Sequence, residues 1–146
     1  MPERKAEAQW RGSLKDGSGT MHVGSGSFNG AYSFSSRMEN GTGTNPEELI
    51  GAAEAGCFSM AFANELSQAG HVPQEIHTSA NVHFERGDKG WGIARIELVT
   101  EGSVPGVDEA TFQSLAEKAK QNCPVSKALA ATQISLKATL KSGVRA

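Results

Sequence analysis

Cysteine is scarce in this chain: there are two among 146 residues, Cys57 and Cys123, and they stand far apart. With no C-x-x-C, no third cysteine and no histidine cluster beside either one, a zinc ribbon and a thioredoxin-type motif are excluded. Long apolar runs are missing as well, so no bilayer-spanning helix is expected. No apolar stretch follows the charged start Met1-Pro2-Glu3-Arg4-Lys5, so no secretory leader is expected. The formal net charge is -2, whereas a nucleic-acid or anionic-membrane partner calls for a basic face; neither partner is expected. G-x-S-x-G, G-x-x-x-x-G-K-[ST] and H-E-x-x-H are all absent, which removes three common catalytic frameworks. His77 and His83 fall on one strand face about 20 Å apart along it, too far to share a metal, and no metal is expected. A soluble, cytoplasmic protein is expected. In that reducing compartment a permanent bridge between the two cysteines is not expected, and any disulfide they form would be transient and chemical.

What is present suits one domain, residues 1–146: 38% hydrophobic and 21% charged residues support a packed core. Ala8, Trp10 and Gly12 alternate with polar neighbours. Asp16-Gly17-Ser18-Gly19 turns the chain into a hairpin with 20–23, and 31–34 forms a third short strand. Arg37 follows, then a polar loop over 38–44. Asn45-Pro46-Glu47-Glu48 opens a helix, with Asn45 as N-cap and Pro46 at the first helical position. That helix carries Leu49, Ala53, Cys57 and Ala61 on one stripe and stops at Gly70. A strand over 76–85 alternates strictly, and 91–101 returns as its partner. Asp108 caps a second helix that ends near Asn122, before Cys123-Pro124. A short third helix starts at Pro124, and 132–140 is a last strand. The order is strands, helix, two strands, two helices, strand, an α+β pattern.

The two thiols admit two readings. Free cysteines behave as small buried hydrophobes, so both could be inert core groups. Alternatively they meet in the fold, one attacking an oxidant and the other resolving the product. That reading needs a cation or helix terminus, because the thiolate is the nucleophile. Cys123 stands at a helix N-terminus, which favours an anion. Cys57 lies deep inside its helix and needs a side-chain cation. Arg37 is the candidate, with Glu47 holding its guanidinium by bidentate pairing. The alternatives are an exposed loop arginine and a helix-dipole carboxylate.

T-N-P-E-E-L-I-G-A-A-E-A-G-C-F-S-M-A over 44–61 and K-A-K-Q-N-C-P-V-S-K-A-L over 118–129 resemble the OsmC/Ohr family, osmotically inducible protein C and the organic hydroperoxide resistance proteins. V-P-G-V-D at 104–108 and A-x-W-x-G at 8–12 bring the chain nearer the OsmC branch, and the likeness runs over nearly its whole length. The resemblance implies a thiol-dependent peroxidase acting on organic hydroperoxides. It further implies an intertwined, swapped homodimer, with central helices between sheets and two sites at the subunit interface. By position, Cys57 matches the family's peroxidatic cysteine and Cys123 the resolving one, closing a Cys57–Cys123 disulfide. Arg37 matches the arginine that stabilises the thiolate, and Glu47 its carboxylate partner. No metal, flavin or haem is implied, because sulfur carries the redox chemistry. The expected reductant is an external dithiol, with a lipoyl-type dithiol suggested by the Ohr branch. Glu54 departs from the family, which often has histidine or a small or aromatic residue there. A carboxylate so near Cys57 opposes the thiolate, so Glu54 is expected to point away or be paired.

Helix geometry adds a constraint. Glu47 precedes Cys57 by ten residues, about 15 Å of rise on one helix. An Arg37–Glu47 pair serving Cys57 is therefore expected to come from the other subunit. A non-catalytic binding or structural dimer and a general thiol–disulfide exchanger are the alternative functions.

Overall fold

The computed structural model describes residues 2–141; Met1 and residues 142–146, which the expected domain includes, lie outside the described residues. Contacts divide the chain into two compact units, Met1–Leu49 and Ile50–Ala146.

The first unit is built on β1 (Ala6–Arg11), β2 (Ser18–Val23) and β3 (Asn29–Tyr32), an antiparallel sheet in the order β1-β2-β3. Trp10 and Tyr32 both pair with Gly19 on the middle strand, and their ring centroids lie 5.3 Å apart. A Cβ on Gly19 would stand 2.7 Å from each ring, so this position has to lack a side chain.

The chain does not extend through Phe34 into a loop; it turns into a short helix, α1 (Phe34–Met38). Ser33 caps it, accepting from the Ser36 backbone N–H at 3.1 Å while the Ser33 N–H donates to Ser36 Oγ at 2.8 Å. This reciprocal bond is a capping box with serine at the third position. Tyr32 and Phe34 alternate with small residues and read as strand, which concealed it.

The long helix α2 (Pro46–Gln68) opens as expected: Asn45 Oδ1 accepts from the Glu48 N–H at 2.8 Å. It closes on Gly70 at φ 89°. There the His71 N–H donates to the Leu66 carbonyl at 2.8 Å and the Gly70 N–H to that of Ser67 at 3.0 Å, a Schellman motif that needs a left-handed residue.

In the second unit β4 (Glu75–Gly87) and β5 (Gly90–Ser103) form an antiparallel hairpin. The chain then crosses through α3 (Glu109–Asn122) and α4 (Pro124–Ala128), and β6 (Gln133–Leu140) joins β5 in parallel. The parallel return requires such a crossover. Asp108 caps α3, its Oδ1 accepting from the Thr111 N–H at 2.7 Å, and this bond holds its carboxyl below the usual range.

The core of this unit lies between α2, α3 and one face of the sheet, with Phe58, Phe62, Leu66, Leu98, Val104, Phe112, Ala116 and Ala119 buried together. Phe62 sits centrally, 5.6 Å from the Phe58 ring and 5.1 Å from that of Phe112. Phe62→Ala is expected to cost about 3–5 kcal/mol of stability, read from urea unfolding. A loss under about 1 kcal/mol would show that this contact does not anchor α2 to α3.

The buried stripe of α2 differs from the expected one. Ala53 is exposed and Met60 is 77% exposed, whereas Glu54, Phe58, Phe62 and Leu66 are fully buried. Volume decides this: turning two phenylalanines and a leucine inward removes far more apolar surface than turning alanines inward. Among the described residues no helix is long and apolar enough to cross a membrane.

Candidate functional site

Two clusters hold the residues singled out from the sequence, one in each unit. In the first, Arg37 stands in the last turn of α1, not in a loop. Ser36 Oγ donates to the Thr44 carbonyl at 2.7 Å, and Asn45 Nδ2 donates to the Ser36 carbonyl at 3.2 Å. Asn45 thus caps α2 with one side-chain atom and ties α1 with the other. These bonds bring Arg37 and Glu47 together: Nε donates to Oε1 at 3.1 Å and Nη2 to Oε2 at 2.8 Å. The fork-on-carboxylate geometry fixes the guanidinium plane. Glu47 is buried while Arg37 is exposed, so the carboxylate anchors and the cation is presented. Beside Arg37 lies a cavity of about 230 Å³ lined by Trp10, Leu14, Tyr32, Ser33, Phe34 and Met38, an aromatic wall next to a positive charge.

In the second unit the two cysteines meet. Cys123 Sγ donates to Cys57 Sγ at 2.9 Å; Cys123 is buried and Cys57 half-buried, and both are free thiols. Cys57 lies mid-helix on α2. Cys123 ends α3 and begins α4 in extended conformation, φ -62° and ψ 120°, as a residue before proline prefers. Burial pushes the Cys57 thiol above its ordinary value; its pairing with Cys123 and the Glu54 carboxylate add to this, and the Val125 backbone N–H opposes it.

Of the two outcomes expected for Glu54, pointing away or being paired, the structure shows pairing. Glu54 is fully buried on the face that carries Phe58. Ser126 Oγ donates to its Oε1, while Oε2 has no hydrogen-bond partner among the described residues. Ser126 was not singled out from the sequence. Its signal was its place in the first turn of α4, one turn after Cys123, on the face that carries the thiol.

The histidines stand apart from both clusters. His77 is exposed on β4, and His83 Nε2 lies 2.8 Å from Glu97 Oε1 across the hairpin, which holds the Glu97 carboxyl below its usual range.

Comparison with known proteins gives a consistent result. A family described as "OsmC-like protein" matches residues 39–138, a span that runs across both units. Peroxiredoxin OsmC of Escherichia coli (strain K12) is 47% identical over 140 residues, covering 95% of this chain and 97% of that protein. An organic hydroperoxide resistance protein of Xanthomonas axonopodis pv. citri (strain 306) is 39% identical over 89 residues, 60% of this chain and 61% of its own. Among solved structures, an organic hydroperoxide resistance protein from Elizabethkingia anophelis superposes with a TM-score of 0.70 at 26% identity, covering 94% of this chain and 95% of that one. With two thirds of its length matched by the family and nearly all of it aligned to a relative at close to half identity, the chain belongs to the OsmC-like family.

Proposed function

We propose that this protein is a thiol-dependent peroxidase that reduces organic hydroperoxides to alcohols, working as a homodimer in the cytoplasm. The observation that carries the reading is the 2.9 Å approach of Cys57 Sγ to Cys123 Sγ, made by residues far apart in sequence. Its relatives named peroxiredoxin and organic hydroperoxide resistance protein support it.

In the proposed mechanism the Cys57 thiolate attacks the distal peroxide oxygen. The O–O bond breaks, Cys57 becomes a sulfenic acid, and the alkoxide leaves as alcohol after taking a proton. Cys123 then attacks the sulfenic sulfur. The S–S bond forms, the S–O bond breaks, and hydroxide leaves as water with the Cys123 proton. An external dithiol, of the lipoyl type in the proposal, reduces the disulfide by exchange.

Burial holds Cys57 in its thiol form, so the nucleophile needs a cation. Arg37, planar and held by Glu47, is suited to both the thiolate and the developing alkoxide. Because α2 is helical from Pro46 to Gln68, Glu47 and Cys57 lie about 15 Å apart along it. We assign Arg37 and Glu47 to the partner subunit's Cys57. The exposed small-residue side of α2, with Ala52, Ala53 and Gly56, suits close approach by a second helix.

A coupled turnover assay tests the reading, with cumene hydroperoxide and hydrogen peroxide as oxidants and dihydrolipoamide and dithiothreitol as donors. Cumene hydroperoxide is expected to react at least about tenfold faster, the scale of burying its apolar body against a wall such as that of Trp10, Tyr32 and Phe34. Equal rates would remove the organic preference. Failure to turn over either peroxide would favour a non-catalytic binding dimer, to which the Glu54 carboxylate lends weight. Faster oxidation by disulfides than by peroxides would make the protein a thiol–disulfide exchanger.

A further inference from the structure

Among the described residues two side-chain hydrogen bonds join α2 to the start of α4: Cys57 with Cys123, and Glu54 with Ser126. Their spacing matches on both sides. Glu54 and Cys57 are one turn apart on α2, and Cys123 and Ser126 are one turn apart at the head of α4. The two bonds are rungs of a short ladder between antiparallel segments, and the Glu54 rung is fully buried.

Apart from these rungs, the bonds that hold α4 among the described residues come from the backbone, the Val125 N–H to Cys57 and the Cys123 N–H to the Ala119 carbonyl at 2.9 Å. The helix has five residues and no side-chain cap, and it starts at the corner where α3 ends. Slippage by one helical turn moves a side chain about 5.4 Å, enough to take Cys123 out of reach of Cys57. The thiol rung cannot guard against this, because it is the rung that reacts. Once Cys57 carries an oxygen, the S–H···S bond is gone and Cys123 must still be aimed at the sulfenic sulfur.

We propose that Glu54 is a positioning residue for disulfide formation: through Ser126 it holds α4 in register on α2, so that Cys123 stays directed at Cys57 throughout the cycle. This also accounts for a carboxylate on the core stripe of α2, where it works against the thiolate. The protein accepts a less ionised Cys57 in return for a resolving thiol that is always in place. The sulfenic-acid part of the proposal rests on the peroxidase reading; the positioning part does not.

The test uses full-length wild type, Ser126→Ala, Glu54→Gln and the Glu54→Gln/Ser126→Ala double variant. The Cys57–Cys123 dithiol is equilibrated with reduced and oxidised glutathione at pH 7, and the disulfide fraction is read by mass spectrometry after alkylation. No peroxide enters this arm. Ser126→Ala is expected to lower the effective concentration of Cys123 at Cys57 by about tenfold, the scale of one buried hydrogen bond. Glu54→Gln is expected to stay within about threefold of wild type, because the amide oxygen still accepts from Ser126. The double variant, without the bond and without the buried charge, is expected to match Ser126→Ala and stands in for it if the single variant does not fold.

A second arm adds one equivalent of cumene hydroperoxide and traps the sulfenic acid with dimedone. More trapped Cys57 is expected in Ser126→Ala than in wild type. The proposal is overturned if Ser126→Ala and the double variant keep the wild-type glutathione equilibrium, even if urea unfolding shows them less stable. It is equally overturned if Glu54→Gln falls as far as Ser126→Ala. If no variant, wild type included, yields a dimedone adduct, the peroxidase reading fails while the glutathione arm still decides the positioning role.

Discussion

Cys57→Ser is expected to reduce hydroperoxide turnover to background, a loss of at least about 10⁴-fold, whereas Cys123→Ser is expected to stop after one turnover. The two thiols touch at 2.9 Å, yet only one attacks peroxide in the proposed cycle. A serine at 57 cannot take up the oxygen, because its hydroxyl has no accessible oxidised state corresponding to the sulfenic acid. A serine at 123 leaves attack possible but removes the sulfur that resolves the product. That variant should consume one equivalent of peroxide, accumulate a dimedone-reactive Cys57 and, with excess peroxide, proceed to the sulfinic acid. Intact-protein mass spectrometry after one and ten equivalents distinguishes these states. Cys57 is half-buried and Cys123 fully buried, which favours Cys57 as the thiol that peroxide reaches. A sulfenic acid found on Cys123 in the Cys57→Ser protein, with turnover retained, would reverse the assignment.

Mixing two inactive proteins, Arg37→Ala and Cys57→Ser, is expected to restore activity once subunits exchange. In the proposed dimer one site then combines an intact Cys57 with the partner's intact Arg37, and the other site lacks both. Each mixed dimer should regain about half of wild-type activity, the arithmetic of one good site in two. The prediction comes from the about 15 Å of helix between Glu47 and Cys57, with Arg37 bound to Glu47 by two hydrogen bonds. Arg37→Ala alone should also move the pH dependence of peroxide attack. Burial raises the Cys57 pKa, and a nearby cation lowers it. Without Arg37 the rate should keep rising with pH above the ordinary thiol range, since less thiolate is present at neutral pH. Exchange without recovery, together with an unchanged pH profile, would place the arginine outside the thiol site.

The sequence made the order of elements legible wherever a local rule governs it. Asn45 and Pro46 marked the start of α2, Gly70 its end, and Asp108 the start of α3. The strict alternation over 76–85 marked β4 as a strand. Each signal acts within a few residues, so no long-range contact is needed to read it. Helix α1 escaped because its cap is a serine pair and its flanks, Tyr32 and Phe34, look like strand. That mattered, since α1 is the element that turns Arg37 onto Glu47.

Cys57, Cys123, Arg37 and Glu47 could be singled out from residue type and motif. The pairing of Arg37 with Glu47 was an expectation from charge and that of Cys57 with Cys123 one from the resemblance; what holds each pair in place could not be read, because it depends on where folding brings distant segments. Ser36 and Asn45 close the arginine cluster through bonds to backbone carbonyls, which carry no sequence signature. Glu54 is the sharpest case. As a carboxylate near Cys57 it was expected to point away or be paired, and nothing in the sequence chose between the two. Only the packing of Phe58, Phe62 and Leu66 against α3 and the sheet rotates α2 so that Glu54 turns inward. There a buried carboxylate must find a donor, and the donor it finds, Ser126, comes from the other end of the chain. The sequence alone determined the elements and the chemical groups available, because these follow from local propensity and residue type. The tertiary structure decided which groups meet, because burial is a property of the whole helix face and not of any residue on it.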